Sequence, residues 1–268
     1  MTATDTERAQ ALQALRATLA DCSQCGLHKG RTQVVFGAGN PEAALMFVGE
    51  GPGFHEDRQG EPFVGQAGKL LNELLGRIGL NRADVYIANV VKCRPPENRD
   101  PTPDEIAACS PHLMRQIEII RPRVVCTLGR FATKLLAGTD LGMTAIHGKA
   151  KAMTLAGVDT IVFPVFHPAA ALYTPANRQV LEADFAKLRP LLDRGLAAMS
   201  PGTAGAGEYM TAGVTEPEAP AEAAAPEAPV GTAGVEAPAG TTGLEAPVDA
   251  LAGRSRPPLQ RTEQLPLW

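Results

Sequence analysis

The sequence has no apolar run near the ~18 residues that a membrane-spanning helix needs. Residues 1–20 also lack the layout of a secretory signal. A soluble, cytoplasmic protein with no membrane role is therefore expected. Five cysteines are an odd number, and without an export signal they argue against a disulfide framework. Metal ligation or plain burial is left. Lysine and arginine are absent from residues 200–252, which hold 15 Ala, 8 Gly, 7 Pro and 8 Asp or Glu. Such a stretch cannot bury enough apolar surface to offset the entropy of ordering it. The expected organisation is one folded domain over residues 1–198, a disordered acidic linker over 199–262 and a terminal motif at 263–268. A domain of that size can bury a single substantial core. Residues 1–199 carry 22 Lys and Arg against 20 Asp and Glu. That mildly basic balance is compatible with a polyanionic partner without requiring one.

Residues 5–20 read as an amphipathic helix with Ala11, Leu12, Leu15 and Leu19 on one face. Short apolar runs follow at 44–48, 85–91, 124–128 and 161–166, mostly β-branched and bounded by Gly, Pro or polar residues, as buried parallel strands are. Helical patterns lie at 68–78, 103–120, 130–136 and 178–196. Thr102, Pro103, Asp104 and Glu105 have the order of a helix start: cap, N1 proline, then acids in the first turn. The alternation predicts an α/β protein, a parallel sheet of about four strands covered by helices on both faces. Ligands in such folds sit beyond the carboxyl ends of the strands. The polar clusters at 49–53, 89–99 and 167–173 all follow strand ends.

Cys22 and Cys25 form a C-x2-C pair, Cys93 lies past the second strand, and Cys109 falls 16 positions later inside a helix. Four such residues can complete a tetrahedral thiolate site or hold an iron–sulfur cluster. Spacing alone equally permits one zinc or redox pair plus two unrelated buried cysteines. Cys126, within an apolar run, reads as a core residue.

Gly49-Glu50-Gly51-Pro52-Gly53 and His167-Pro168-Ala169-Ala170-Ala171-Leu172 resemble motifs of the family 4 uracil-DNA glycosylases. Between them, in order, stand Glu56-Asp57, Gly60-Glu61-Pro62-Phe63-Val64-Gly65, Asn89 and Lys92-Cys93-Arg94-Pro95-Pro96-Glu97-Asn98-Arg99. The resemblance spans roughly residues 10–195. It implies the three-layer α/β/α sandwich of uracil-DNA glycosylases and a [4Fe–4S] cluster on Cys22, Cys25, Cys93 and Cys109. It also implies a DNA-repair enzyme that flips uracil from DNA and hydrolyses its N-glycosidic bond, leaving an abasic site. Phe63 would stack on the base, and Asn89 would accept from uracil N3–H and donate to O4. His167 would donate to O2 as charge develops, and the turn of Gly49, Glu50 and Gly51 would bring backbone amides to the base.

Gly51 stands where family 1 enzymes carry a water-activating Asp. That role would pass to Glu50, Glu56, a backbone carbonyl or no strong base, and Glu50 is taken here as the catalytic carboxylate. Leu172 is the expected DNA wedge, and Lys69, Arg94, Arg99 and Arg178 are candidate phosphate contacts. Two other functions stay in view: a covalent uracil-DNA trap and a non-catalytic iron–sulfur DNA-binding module. The trap would use a histidine in the loop after the third cysteine, and residues 94–104 contain none.

The chain ends in Gln264-Leu265-Pro266-Leu267-Trp268, its only tryptophan last. This pentapeptide resembles the Q-L-x-L-F/W motif by which bacterial replication and repair proteins dock on the sliding clamp. Gln264, Leu265, Leu267 and Trp268 would be the contacts. A monomer acting at the nucleoid is expected.

Overall fold

A computed structural model describes residues 3–172, 174–194 and 210–211. The linker, except 210–211, and the terminal motif with Gln264, Leu265, Leu267 and Trp268 lie outside the described residues.

Four parallel strands form the middle of the sheet in the order β3 (Tyr86–Asn89), β2 (Leu45–Gly49), β4 (Val124–Leu128) and β6 (Val158–Val165). They correspond to the four apolar runs, and every residue of β2, β3 and β4 is buried. Unbroken hydrophobicity is the mark of strands covered on both faces. The register places Phe47 beside Ile87 on one side and Cys126 on the other.

Antiparallel strands flank this centre: β1 (Ala38–Gly39) on β3, and β5 (Lys149–Leu155) on β6. Residues 210–211, within the segment expected to be a linker, form a short strand, β7, against the start of β5. The sheet is thus wider than the four strands expected. β5 escapes the sequence reading because Lys149-Ala-Lys-Ala-Met-Thr-Leu155 alternates only weakly in hydrophobicity. It is joined to β6 through Ala156 and Gly157, both at positive φ (48° and 73°), as a tight hairpin turn requires.

Successive strand residues face opposite layers. Met46, Val48, Val125 and Val162 pack with α1 (Ala3–Thr18), α4 (Pro103–Ile120) and α5 (Arg130–Ala137). Leu45, Phe47, Val124, Cys126 and Phe163 pack with α3 (Gln66–Arg77) and α8 (Pro175–Arg194), where the Phe47 and Phe185 rings stack at 5.7 Å. The three-layer α/β/α sandwich follows from this alternation. α4 starts as its sequence requires: the Glu105 amide donates to the Thr102 hydroxyl at 3.3 Å, and the Thr102 amide donates to Glu105 Oε2 at 2.8 Å. Among the described residues no helix is long and apolar enough to cross a membrane.

Candidate active site

Three of the parallel strands deliver their ends to one cleft of about 340 Å³, a size suited to a small ligand. β2 runs into the 49–53 turn, β3 stops on Asn89, and β6 leads to His167. Glu50, Gly51, Phe63, Asn89 and His167 line the cleft together with Glu56, Asn98 and Arg99. Gly49, the other residue expected here, stands behind that wall. A Cβ at position 49 would lie 2.5 Å from Asn89 Oδ1 and 2.7 Å from Phe63 Cζ. Only glycine lets those two side chains occupy their places.

Asn89 is 1% exposed, and its Oδ1 has no hydrogen-bond partner. A buried acceptor left without a donor costs about 1–3 kcal/mol, so this one is poised for an N–H brought into the cleft. The backbone beneath it is fixed. The Asn89 carbonyl accepts from Lys92 Nζ at 2.8 Å, and Nζ also donates to Gln116 Oε1 at 2.6 Å. Gln116 Nε2 in turn donates to the Phe36 carbonyl at 2.9 Å and the Tyr86 hydroxyl at 3.3 Å. Burial pushes the Lys92 ammonium down to about 8. That lysine is held below the sheet end and is not part of the cleft wall.

Phe63 sits at φ +54°, a conformation that costs a non-glycine residue about 1–3 kcal/mol. Three contacts hold it. Arg82 donates to the carbonyls of Pro62 and Phe63 at 2.7 and 3.0 Å. The Val64 and Gly65 amides both donate to Glu56 Oε1 at 2.9 Å. α3 comes so close at Gly68 that a Cβ there would be 1.8 Å from the Phe63 oxygen. The Phe63 ring consequently stacks on His167, with centroids 5.5 Å apart and planes 28° apart.

His167 caps the short helix α7 (Pro168–Ala171), its Nδ1 accepting from the Ala169 amide at 3.2 Å. Burial lowers the imidazole pKa to about 4, against the opposing pull of Glu56. At neutral pH the ring is therefore uncharged. With Nδ1 an acceptor, its proton is on Nε2, which leaves a neutral N–H donor for a ligand. Glu50 is pushed up to about 7 by burial first and Asp100 second, with Arg130 opposing. Asp100 is itself paired to Arg130.

Cys22, Cys25, Cys93 and Cys109, from three separate segments, line a second, smaller cavity with Arg31 and His112. Arg31 Nη1 donates to Cys93 Sγ at 3.4 Å and to the Cys22 carbonyl at 2.6 Å, and the Lys92 amide donates to Cys109 Sγ at 3.3 Å. Among the described residues no three His, Cys, Asp or Glu side chains are arranged to hold a single metal ion. Four thiols converging on one small cavity, two of them already accepting from N–H donors, form a donor set that suits a thiolate-bound metal ion or iron–sulfur cluster. Cys126 is wholly buried on the opposite face of the sheet.

Leu172, at the end of α7, is 38% exposed, one of few large apolar residues to be so. Of the candidate phosphate contacts, Arg178 is engaged by Glu73 and Glu182, and Arg99 by Glu105. Arg94 and Lys69 have no ion pair among the described residues. Sequence reasoning missed Arg82, Arg31 and the Lys92–Gln116 pair. Lys92 and Gln116 are buried and the two arginines half-buried, which the sequence does not announce; only the PFVG and KC motifs beside them hinted that their backbones are constrained.

The uracil-DNA glycosylase superfamily model matches residues 36–189. A type-4 uracil-DNA glycosylase of Sulfurisphaera tokodaii is 50% identical over 185 residues, 67% of this chain and 84% of the relative. One from Saccharolobus solfataricus is 52% identical over 176 residues, 64% of this chain and 82% of the relative. One from Thermotoga maritima is 43% identical over 194 residues, 70% of this chain and 97% of the relative. With this cleft at the strand ends and these likenesses across it, the chain belongs to the type-4 uracil-DNA glycosylases.

Proposed function

We propose that this chain excises uracil from DNA by hydrolysing the C1′–N1 bond, as the repair of deaminated cytosine requires. The observation that carries the reading is the orphaned Asn89 Oδ1 at the cleft. Uracil presents an N–H at position 3 and an acceptor at position 4, whereas cytosine presents the reverse. The amide of Asn89 pairs with the first pattern, and a site built on such pairing rejects the other by up to ~10⁴-fold. Phe63, braced by Arg82 and Glu56, stacks on the flipped base. As the bond breaks, its electron pair passes to the base, and the Nε2–H of neutral His167 stabilises the charge growing on O2. Water adds to C1′, and its proton passes through solvent to the departing uracil anion, which leaves neutral uracil and an abasic sugar. Glu50, as a carboxylate, orients that water or steadies the cationic sugar. Glu56 is instead committed to the turn that carries Phe63.

Among the described residues no lysine lines the cleft to form a Schiff base, and residues 94–104 hold no histidine for covalent trapping, which favours plain hydrolysis. Incubated with a uracil-containing oligonucleotide, the protein should leave an abasic site that breaks only on heat or alkali. A borohydride-trapped adduct, or strand cleavage without such treatment, would contradict this. Glu50 imposes a pH dependence. Its pKa is raised, so the carboxylate predominates only above about 7. Accordingly kcat/KM should climb through neutral pH, and Glu50→Gln should flatten the climb and lower the plateau by about 10²-fold. An unchanged profile in that variant would remove Glu50 from the chemistry.

Cys22, Cys25, Cys93 and Cys109 would hold a [4Fe–4S] cluster, which supplies a structural cross-link between the first helix and the loop after β3. Purified protein should absorb broadly near ~400 nm. Cys109→Ala should lose iron and thermal stability together, while Cys126→Ala should keep its iron. Iron loss in the Cys126 variant would overturn this ligand set.

The enzyme is read as a cytoplasmic, nucleoid-associated monomer. Its terminal Gln264, Leu265, Leu267 and Trp268 would dock on the sliding clamp. Docking there would raise the enzyme's effective concentration on nearby DNA. Truncation after Gly253 should abolish clamp binding and spare excision from a short oligonucleotide. Absence of clamp binding by the full chain would refute the tether.

A further inference from the structure

The residue after the 49–53 turn is Phe54, which opens α2 (Phe54–Gln59). The residue is 47% exposed although its neighbour Gly53 lines the cleft. A lone exposed aromatic is unremarkable, but this one is not alone. The Arg58 guanidinium lies 5.5 Å from the ring centroid and that of Arg94 5.2 Å, with His55 edge-on at 5.5 Å. Neither arginine has an ion pair among the described residues. Arg94 Nε donates to Asn98 Oδ1 at 2.7 Å, which ties it to another residue of the cleft wall. Elsewhere at this end of the sheet, exposed arginines are neutralised: Arg99 by Glu105 and Arg130 by Asp100.

An exposed aromatic flanked by two uncompensated guanidiniums, at the rim of a cleft that receives a nucleobase, has the chemistry of a single-strand nucleic-acid platform. The two guanidiniums lie over the ring; turned outward onto the phosphates of a bound strand, they leave its face to a base. We propose that Phe54, Arg58 and Arg94 bind the nucleotide next to the flipped uracil, Phe54 stacking on its base and the two arginines holding its phosphates. The inference rests on the uracil reading of the cleft and extends it to the flanking strand. A base in intact duplex is already stacked on its neighbours, so the platform matters most on single-stranded DNA.

The test compares wild type, Phe54→Ala and Phe54→Trp on single-stranded and duplex oligonucleotides carrying uracil. 2-Aminopurine is placed at each position flanking the uracil. Phe54→Ala should weaken single-strand binding about 5- to 100-fold, more than duplex binding. It should also relieve 2-aminopurine quenching at one flanking position, and Phe54→Trp should restore both. Arg58→Ala with Arg94→Ala should flatten the single-strand salt slope by about 1.4. Thermal melting reports whether each variant folds. Wild-type single-strand affinity and quenching in Phe54→Ala would overturn the platform while leaving uracil excision untouched. Failure of the wild-type protein to excise uracil would overturn the reading of the cleft instead.

Discussion

Replacing Asn89 by alanine should lower kcat/KM for uracil excision by about 10²- to 10⁴-fold, the largest effect expected of any single change in the cleft. The truncation removes both the acceptor for N3–H and the donor for O4. It also leaves Lys92 Nζ on the backbone carbonyl of residue 89, so the floor of the site stays in place. Asn89→Asp sharpens the test. A carboxylate has acceptors only, which repel uracil O4 and suit the amino group of cytosine. The uracil-to-cytosine preference should therefore collapse, not merely the rate. Excision kinetics on paired uracil and cytosine substrates check this, and an Asn89→Asp enzyme of undiminished preference would refute the assignment.

His167→Ala should reduce kcat by about 10²- to 10³-fold with little change in KM, because the donor is most needed when charge has developed on the base. Its protonation adds a second signature. With its pKa lowered to about 4 by burial, the imidazole does not titrate between pH 5 and 8 in the folded protein. If Glu50 is the catalytic carboxylate proposed above, the activity change near neutrality follows its raised pKa and should persist in the residual activity of His167→Ala. Burial also links this residue to stability. Between about 4 and the ordinary histidine value the unfolded chain binds more protons than the folded one, so the wild type loses stability as pH falls through that window. The alanine variant should lose less. A His167→Ala enzyme with wild-type kcat would show the residue to be only the cap of α7.

Much of this was legible before the fold was known, for physical reasons that differ from residue to residue. The four parallel strands announce themselves because a strand buried on both faces must be apolar throughout, as Leu45-Met-Phe-Val48 is. The start of α4 is written in Thr102, Pro103 and Glu105 because a cap needs those side chains at those positions. Gly49, Phe63, Asn89 and His167 could be named only through the family motifs, since nothing in a lone Asn or His marks it as facing a cleft. β5 was missed because alanine and lysine blur its alternation, and its place depends on a hairpin partner rather than on its own sequence. Lys92 and Gln116 look like surface residues in any window of sequence. Both are buried only because each satisfies the other. Arg82 likewise has no local signal, since its task is to hold a strained carbonyl 19 residues away.

The central claim is that the free Asn89 Oδ1 reads the N3–H of uracil. Excision from an oligonucleotide bearing 3-methyl-deoxyuridine tests it most directly, because that base keeps both carbonyls and the glycosidic bond and carries a methyl in place of the N3 hydrogen. The methylated base should be released at least about 10²-fold more slowly than uracil from the same sequence. Release of the two bases at comparable rates would mean that Asn89 does not read that edge.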